Sequence, residues 1–290
     1  MESKSTFFRQ KLTLNIGGSL LDLSSPRVMG VLNLTPDSFY DGGKYNAINK
    51  ALKQCAQMLD EGAAIIDVGA YSSRPMAESI SEEEEMKRMV PVLKAIVKEF
   101  PKALISIDTF RSSVANVAIQ EGGAIINDIS AGELDSNMFA TVARLKVPYI
   151  LMHMKGTPQT MNQYTDYENL FTEVCGYFVE KINQLQRLGV VDLVIDPGFG
   201  FAKTIDQNYE LLNKLDLFKM LGVPILAGLS RKIMIYTFLG IDPADSLNGT
   251  TVANTIALLK GANLLRVHDV RAAVEAVKIC NKLSDSSCHE

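Results

Sequence analysis

Leu193-Val-Ile-Asp196-Pro-Gly-Phe-Gly-Phe201 is a short apolar run that stops on an acid. Val194 and Ile195 are β-branched, and Pro197 and Gly198 forbid the strand to continue. A buried parallel strand that delivers a carboxylate to its C-terminal rim has this pattern. The pattern recurs on either side. Ala64-Ile-Ile-Asp67-Val-Gly and Leu104-Ile-Ser-Ile-Asp108-Thr end on acids, and Ala124-Ile-Ile-Asn127-Asp128 ends on an amide and an acid. A site assembled from the ends of several strands is the expectation.

Outward from this run, strands alternate with helices. Strands are expected at Val28–Leu34, Ala64–Gly69, Ala103–Asp108, Ala124–Ile129, Pro148–Met154, Leu193–Asp196, Pro224–Leu229 and Leu264–Val267. Each is followed by a helical pattern, such as Ala47–Glu61, Tyr167–Leu188 and a single helix over Gln207–Leu221. No linker divides the series, so the expected fold is α/β, a single (β/α)8 TIM barrel. A doubly wound open sheet is disfavoured because no G-x-G-x-x-G follows the first strand. Leu12–Leu23 alternates around Gly17-Gly18 and is expected to form a hairpin ahead of the barrel. The expected divisions are an extension and hairpin over 1–26, the barrel over 27–283 and a frayed polar tail over 284–290.

The chain has 290 residues, a formal net charge of −4 and 47% hydrophobic content, enough for a substantial core. Mild acidity argues against a nucleic-acid partner. No apolar run approaches the roughly 20 residues needed to cross a bilayer. Cys55, Cys175, Cys280 and Cys288 show no C-x-x-C spacing and are expected to be reduced thiols. The first residues lack the apolar segment of a secretory leader, so a cytoplasmic location is expected.

In a TIM barrel the active site lies at the C-terminal strand ends. Here those ends carry Asn33, Asp67, Asp108, Asn127, His153, Asp196, Ser230-Arg231-Lys232 and Arg266-Val267-His268. Acids and amides suit a flat heterocycle with an amidine-like edge, since a carboxylate accepts two adjacent N–H groups. The late cations precede an expected helix N-terminus, where such barrels often bind phosphate. Some of these residues have plainer roles. A lone strand-end acid such as Asp67 is more often a cap or loop partner. His153 is expected to be a packed histidine. Glu82–Glu85, after Ser81, is expected to be a solvated helix start.

In this order, the motifs resemble those of dihydropteroate synthases, from Val28 to His268. They are Met29-Gly-Val-Leu-Asn-Leu-Thr-Pro-Asp-Ser-Phe39, Gly69-Ala-Tyr-Ser-Ser-Arg-Pro75, Ile107-Asp-Thr109, Asn127-Asp128, Asp196-Pro-Gly-Phe-Gly-Phe201, Ser230-Arg-Lys232 and Arg266-Val-His268. The resemblance implies condensation of 6-hydroxymethyl-7,8-dihydropterin diphosphate with 4-aminobenzoate, by an S_N1-like substitution, in folate biosynthesis. It also implies Mg²⁺ as cofactor, with Asn33 helping to bind it. Asp108, Asn127, Asp196 and Lys232 would hold the pterin, and Arg266 and His268 the diphosphate. Ser73, Arg74 and Pro75 would shape the 4-aminobenzoate site, Phe39 and Phe201 would wall it, and Ser230, at its helix start, would meet the benzoate carboxylate. A homodimer through helices near Leu247–Lys260 and Val270–Leu283 is implied as well.

The second loop departs from the commonest family pattern, Gly-Gly-Glu-Ser-Thr-Arg-Pro-Gly. Ala70, Tyr71, Ser73 and Met76 replace Gly, Glu, Thr and Gly. These changes fall on the aminobenzoate side, where sulfonamides compete in the family. Two rivals share the pterin pocket. A pterin-binding methyltransferase would lack the Asn-Leu-Thr-Pro-Asp-Ser-Phe, Ser-Arg-Pro, Ser-Arg-Lys and Arg-x-His motifs. A catalytically silent paralogue would have lost Asn33, Lys232 or His268. All are present.

Overall fold

The apolar runs read above become a ring of eight parallel strands. A computed structural model describes residues 10–34, 44–72 and 79–287. The ring strands are β3 (Arg27–Asn33), β4 (Ile65–Gly69), β5 (Leu104–Asp108), β6 (Ile125–Asp128), β7 (Tyr149–Met152), β8 (Leu193–Asp196), β9 (Leu226–Ala227) and β10 (Leu264–Val267). They pair in the order β8-β7-β6-β5-β4-β3-β10-β9. A parallel bridge between Ile195 and Ile225 joins the two ends. This is the (β/α)8 barrel, preceded by the expected hairpin of β1 (Thr13–Ile16) and β2 (Ser19–Asp22). Gly17 and Gly18 both take positive φ in its two-residue turn, as that turn type demands.

The helices in chain order are α1 (Lys44–Asp60), α2 (Glu82–Glu99), α3 (Ser112–Gln120), α4 (Met138–Leu145), α5 (Leu170–Arg187), α6 (Ile205–Asn213), α7 (Ile233–Leu239), α8 (Leu247–Leu259) and α9 (Val270–Ser287). The single helix expected over Gln207–Leu221 is two pieces. After α6 the chain tightens into a 3₁₀ segment, Leu215–Leu221, which buries Leu215 and Phe218. Their spacing of three matches the 3₁₀ turn rather than the α turn. The last helix also continues beyond Leu283 to Ser287.

Strand periodicity sorts the core into an outer and an inner layer, because successive side chains alternate faces. Leu32, Val68, Ile107, Leu151, Ile195 and Val267 pack outward under the helices. Met29, Ile65, Ile125, Ile150, Val194, Leu226 and Leu264 pack together inside the barrel floor. Leu14 and Leu23, from the hairpin and its exit, join that floor and close it from below. Two residues further along β4, β5, β6, β8 and β10 the inner layer changes chemistry. It becomes Asp67, Ser106, Asn127, Asp196 and Arg266, an upper layer of polar groups resting on an apolar floor.

Candidate active site

Arg266 organises that upper layer. Its Nε donates to Asp67 Oδ2 at 2.6 Å and its Nη2 donates to Asp108 Oδ2 at 2.6 Å. Asn127 Nδ2 donates to the same Asp67 oxygen at 3.1 Å. Four strands, β4, β5, β6 and β10, thus meet in one buried polar cluster. Asp67 is fully buried, so its role as a mere cap is corrected: it is the hub between Asn127 and Arg266. One guanidinium serves two carboxylates. Burial pushes the Asp108 carboxyl up to about 7, against the pull of Arg266 and helped by Asp67. Among the described residues, Arg266 Nη1 makes no hydrogen bond and faces no acid of this pair.

Asp196 and Lys232 form the second pole. Asp196 is buried, and its Oδ1 accepts from the Gly198 N–H at 2.8 Å. Burial raises its carboxyl, opposed by that hydrogen bond and by Lys232, Arg266 and Lys203. Burial lowers the Lys232 ammonium to about 8, opposed chiefly by Asp196. Lys232 Nζ lies 4.3 Å from the centre of the Phe201 ring, a cation–π contact. Among the described residues it has no hydrogen-bond partner, so its donors are open to a ligand. Phe201 belongs to an apolar wall with Ile129, Met152, Met154 and Met161 that flanks the polar cluster.

The turn after β8 carries Asp196 and Phe201 together. Gly198 has φ +74, and a Cβ there would lie 2.1 Å from the His153 carbonyl oxygen, so only glycine fits. His153 is buried among Tyr167, Tyr177 and Phe178, packed as expected.

The remaining rim residues are placed as follows. Asn33 is half-buried at the end of β3, in register with Gly69, which is itself in register with Asp108. His268 is exposed just beyond β10, and its backbone N–H donates to Ser230 Oγ at 3.2 Å. Ser230 is buried and does not start a helix: Lys232 is the N-cap of α7. Arg231 turns away to pair with Asp269 through both Nε and Nη2. Phe39, Ser73, Arg74 and Pro75 lie outside the described residues. No group of three His, Cys, Asp or Glu side chains that could hold a metal occurs among the described residues.

Sequence reasoning also misplaced Glu85. It was expected on a solvated helix start, and Ser81 does cap α2, accepting from the Glu84 N–H. Glu85 itself is fully buried, accepting from Thr109 Oγ1 at 2.7 Å and Arg111 Nη1 at 2.5 Å. Arg111 Nη2 donates to the Ile80 carbonyl at 2.6 Å, and the guanidinium lies 5.5 Å from the Tyr71 ring. Tyr71 packs edge-on to Phe110 at 5.0 Å, and its hydroxyl accepts from Gln159 Nε2 at 2.9 Å. Arg111 thereby touches both described ends of the β4–α2 connection.

The pterin-binding enzyme family model matches residues 29–268. That span runs from the barrel floor of β3 to the rim beyond β10. Dihydropteroate synthase of Escherichia coli strain K12 is 42% identical over 264 residues, covering 90% of this chain and 93% of that protein. The chain belongs to the dihydropteroate synthase family. Two solved structures extend the likeness to the fold. Xanthomonas albilineans dihydropteroate synthase with 4-aminobenzoic acid superimposes with a TM-score of 0.87 at 38% identity, covering 94% of this chain and 98% of that one. The Yersinia pestis enzyme in complex with a sulfonamide drug gives a TM-score of 0.88 at 38% identity, covering 94% and 99%.

Proposed function

We infer that this chain condenses 6-hydroxymethyl-7,8-dihydropterin diphosphate with 4-aminobenzoate, giving 7,8-dihydropteroate and diphosphate. The observation that carries the assignment is the buried cluster Asp67–Arg266–Asp108 with Asn127, facing Asp196 and Lys232 across one barrel mouth. Acid and amide acceptors on one side and an unbonded ammonium on the other suit a pterin, whose ring presents donors along one edge and acceptors nearby. Asp108, Asn127, Asp196 and Lys232 are assigned to that ring, with Asp67 and Arg266 bracing them.

The substitution follows an S_N1-like course. Heterolysis of the C–O bond leaves positive charge on the pterin methylene and negative charge on the departing diphosphate. The Asp108 and Asp196 carboxylates offset the first, in a site where low polarisability strengthens the effect. Arg266, through Nη1, and His268 at the rim meet the second. The amine of 4-aminobenzoate then attacks, and its proton leaves to solvent. Phe39, Ser73, Arg74, Pro75, Phe201 and Ser230 are assigned to the aminobenzoate side, which is also where a sulfonamide competes.

The donor set fits magnesium. Asn33, half-buried at the end of β3, would offer an oxygen ligand of the kind magnesium prefers, beside the diphosphate. When bound, the ion neutralises charge on the leaving group.

A second copy of the chain is assigned to the face formed by α8 and α9. Leu247, Val252, Ile256, Leu259 and Ile279 are exposed there, beside a groove of about 650 Å³ between the two helices. Reduced Cys55, Cys175 and Cys280 suit the cytoplasm.

The test is pyrophosphate release from the dihydropterin diphosphate with Mg²⁺, with and without 4-aminobenzoate. Release coupled to dihydropteroate formation is expected. Pterin binding without release would overturn the synthase assignment.

A further inference from the structure

One buried lysine has no part in the chemistry above. Lys203 follows the Asp196–Phe201 run and folds back beneath it. Its Nζ donates to the Gly198 carbonyl at 3.1 Å and the Phe201 carbonyl at 3.0 Å, and lies 3.1 Å from His153 Nδ1. In its protonated form the amine has three N–H donors, and here three acceptors meet them. Burial holds the His153 imidazole well below its ordinary range, and Lys203 and Lys155 add to that. The ring is therefore neutral, and the contact makes Nδ1 the acceptor.

We propose that Lys203, gripped by His153, is a positioning residue that holds the β8 turn so that Asp196 faces the pterin and Phe201 faces Lys232. The inference rests on the proposed reaction and deepens it. Each link runs through a single residue. Gly198 gives its N–H to the Asp196 carboxylate and its carbonyl to Lys203. Phe201 gives its carbonyl to Lys203 and its ring face to Lys232. The turn needs such a clasp, because Gly198, Gly200 and Ala202 all have positive φ. Tyr167 adds a hydroxyl bond to the Ala202 carbonyl at 3.0 Å, but reaches neither Asp196 nor Phe201.

The clasp is also electrostatic. The charged groups acting on Asp196 are Lys232, Arg266 and Lys203. Those acting on Lys203 are Asp196, Lys232 and Lys155. Burial lowers the Lys203 ammonium to about 7, opposed by Asp196, so near neutral pH removing it takes away a fractional positive charge together with the donors that hold the turn.

Lys203→Met keeps most of the volume and removes both the charge and the donors. Affinity for 6-hydroxymethyl-7,8-dihydropterin, measured calorimetrically without turnover, is expected to fall about tenfold, the size of one charged hydrogen bond. The acid limb of kcat/KM is expected to move up, because one charge that favours the Asp196 carboxylate is gone. Lys203→Arg, which keeps the cation, should restore the acid limb towards wild type. His153→Leu leaves the lysine in place with one donor unmet, and should lower pterin affinity about threefold even if Lys203→Met does not fold. A merely structural lysine would lower Tm and leave folded-state affinity and the acid limb unmoved, and that result overturns the inference. Wild-type protein that binds no pterin would instead overturn the proposed reaction.

Discussion

The two halves of the candidate site are built from different material. On the pterin half, Asp67, Asn127, Asp196 and Arg266 are inner-face residues of β4, β6, β8 and β10. Their places follow from the strand ladder, which is bonded on both sides along the sheet. On the aminobenzoate half, the described ends of the β4–α2 connection rest on a few side chains from other loops: Tyr71 on Phe110 and Gln159, Ile80 on Arg111. A ladder over-determines a position, whereas each loop contact is worth only about 1 kcal/mol. The contrast explains where this chain departs from the common family pattern. Its changes, Ala70, Tyr71, Ser73 and Met76, all lie beyond the end of β4, on the loop half, and the strand half keeps its full set.

The largest effect should come from breaking the strand half. Asp196→Ala removes the chief acid acting on Lys232, and Lys232→Ala removes the first of the cations acting on the buried Asp196. Each also removes a group assigned to the pterin ring, and a hydrogen bond to a charged group is worth about 1.5–3 kcal/mol. Loss of pterin diphosphate binding by about a hundredfold is expected, read by calorimetry, with pyrophosphate release abolished. Near wild-type binding in either variant would mean that the two poles of the barrel mouth are not what holds the ring.

Next in size is a pH effect confined to the same half. Asp108 sits at about 7 in the free protein, raised first by burial. Pterin N–H donors favour its carboxylate, so binding lowers that value and releases a proton wherever the free group is protonated. The sign follows: affinity rises with pH up to about 7 and then levels, with a limiting slope of about tenfold per unit. Calorimetry in buffers of different ionisation enthalpy measures the proton released. A flat profile from about pH 5.5 to 8 would show that Asp108 is already ionised before the ligand arrives, and proton uptake would show that the ligand meets the protonated carboxyl instead.

The strand half was legible in the sequence because its signals are local. An apolar run that stops on an acid, repeated around a (β/α)8 barrel, names the rim. Asp67 was undervalued because its partner Arg266 lies 199 residues away, and only closure of the sheet brings the two together. Glu85 was hidden in a run of four glutamates, yet the helical period carried the signal. Glu85, Met89, Val92 and Ile96 are all buried on one face of α2. Lys203 left no periodic trace, since its side chain bends under its own turn and meets two carbonyls close by in sequence. The loop half was legible only through family resemblance, because loop chemistry has no period to read.

The two smallest effects test that half. Ser73→Ala should raise KM for 4-aminobenzoate about three- to tenfold, the worth of one hydroxyl hydrogen bond, with pterin affinity unchanged. Loss of pterin binding as well would mean that the two half-sites are not separable. Tyr71→Phe should do less. It removes the exposed bond from Gln159 but keeps the ring against Phe110 and near Arg111, and an exposed neutral hydrogen bond contributes little because water replaces it. A rise in aminobenzoate KM of about twofold is expected, with kcat and pterin affinity intact. Tyr71→Ala, which also strips the ring from Arg111, should exceed it by several-fold. If the Phe and Ala variants were equally impaired, the hydroxyl rather than the ring would be the anchor, and the β7–α5 segment carrying Gln159 would belong to the loop half of the site. If neither changed KM, Arg111 and its buried Glu85 would hold the β4–α2 connection without Tyr71, and the tyrosine would be a tolerated replacement rather than a support.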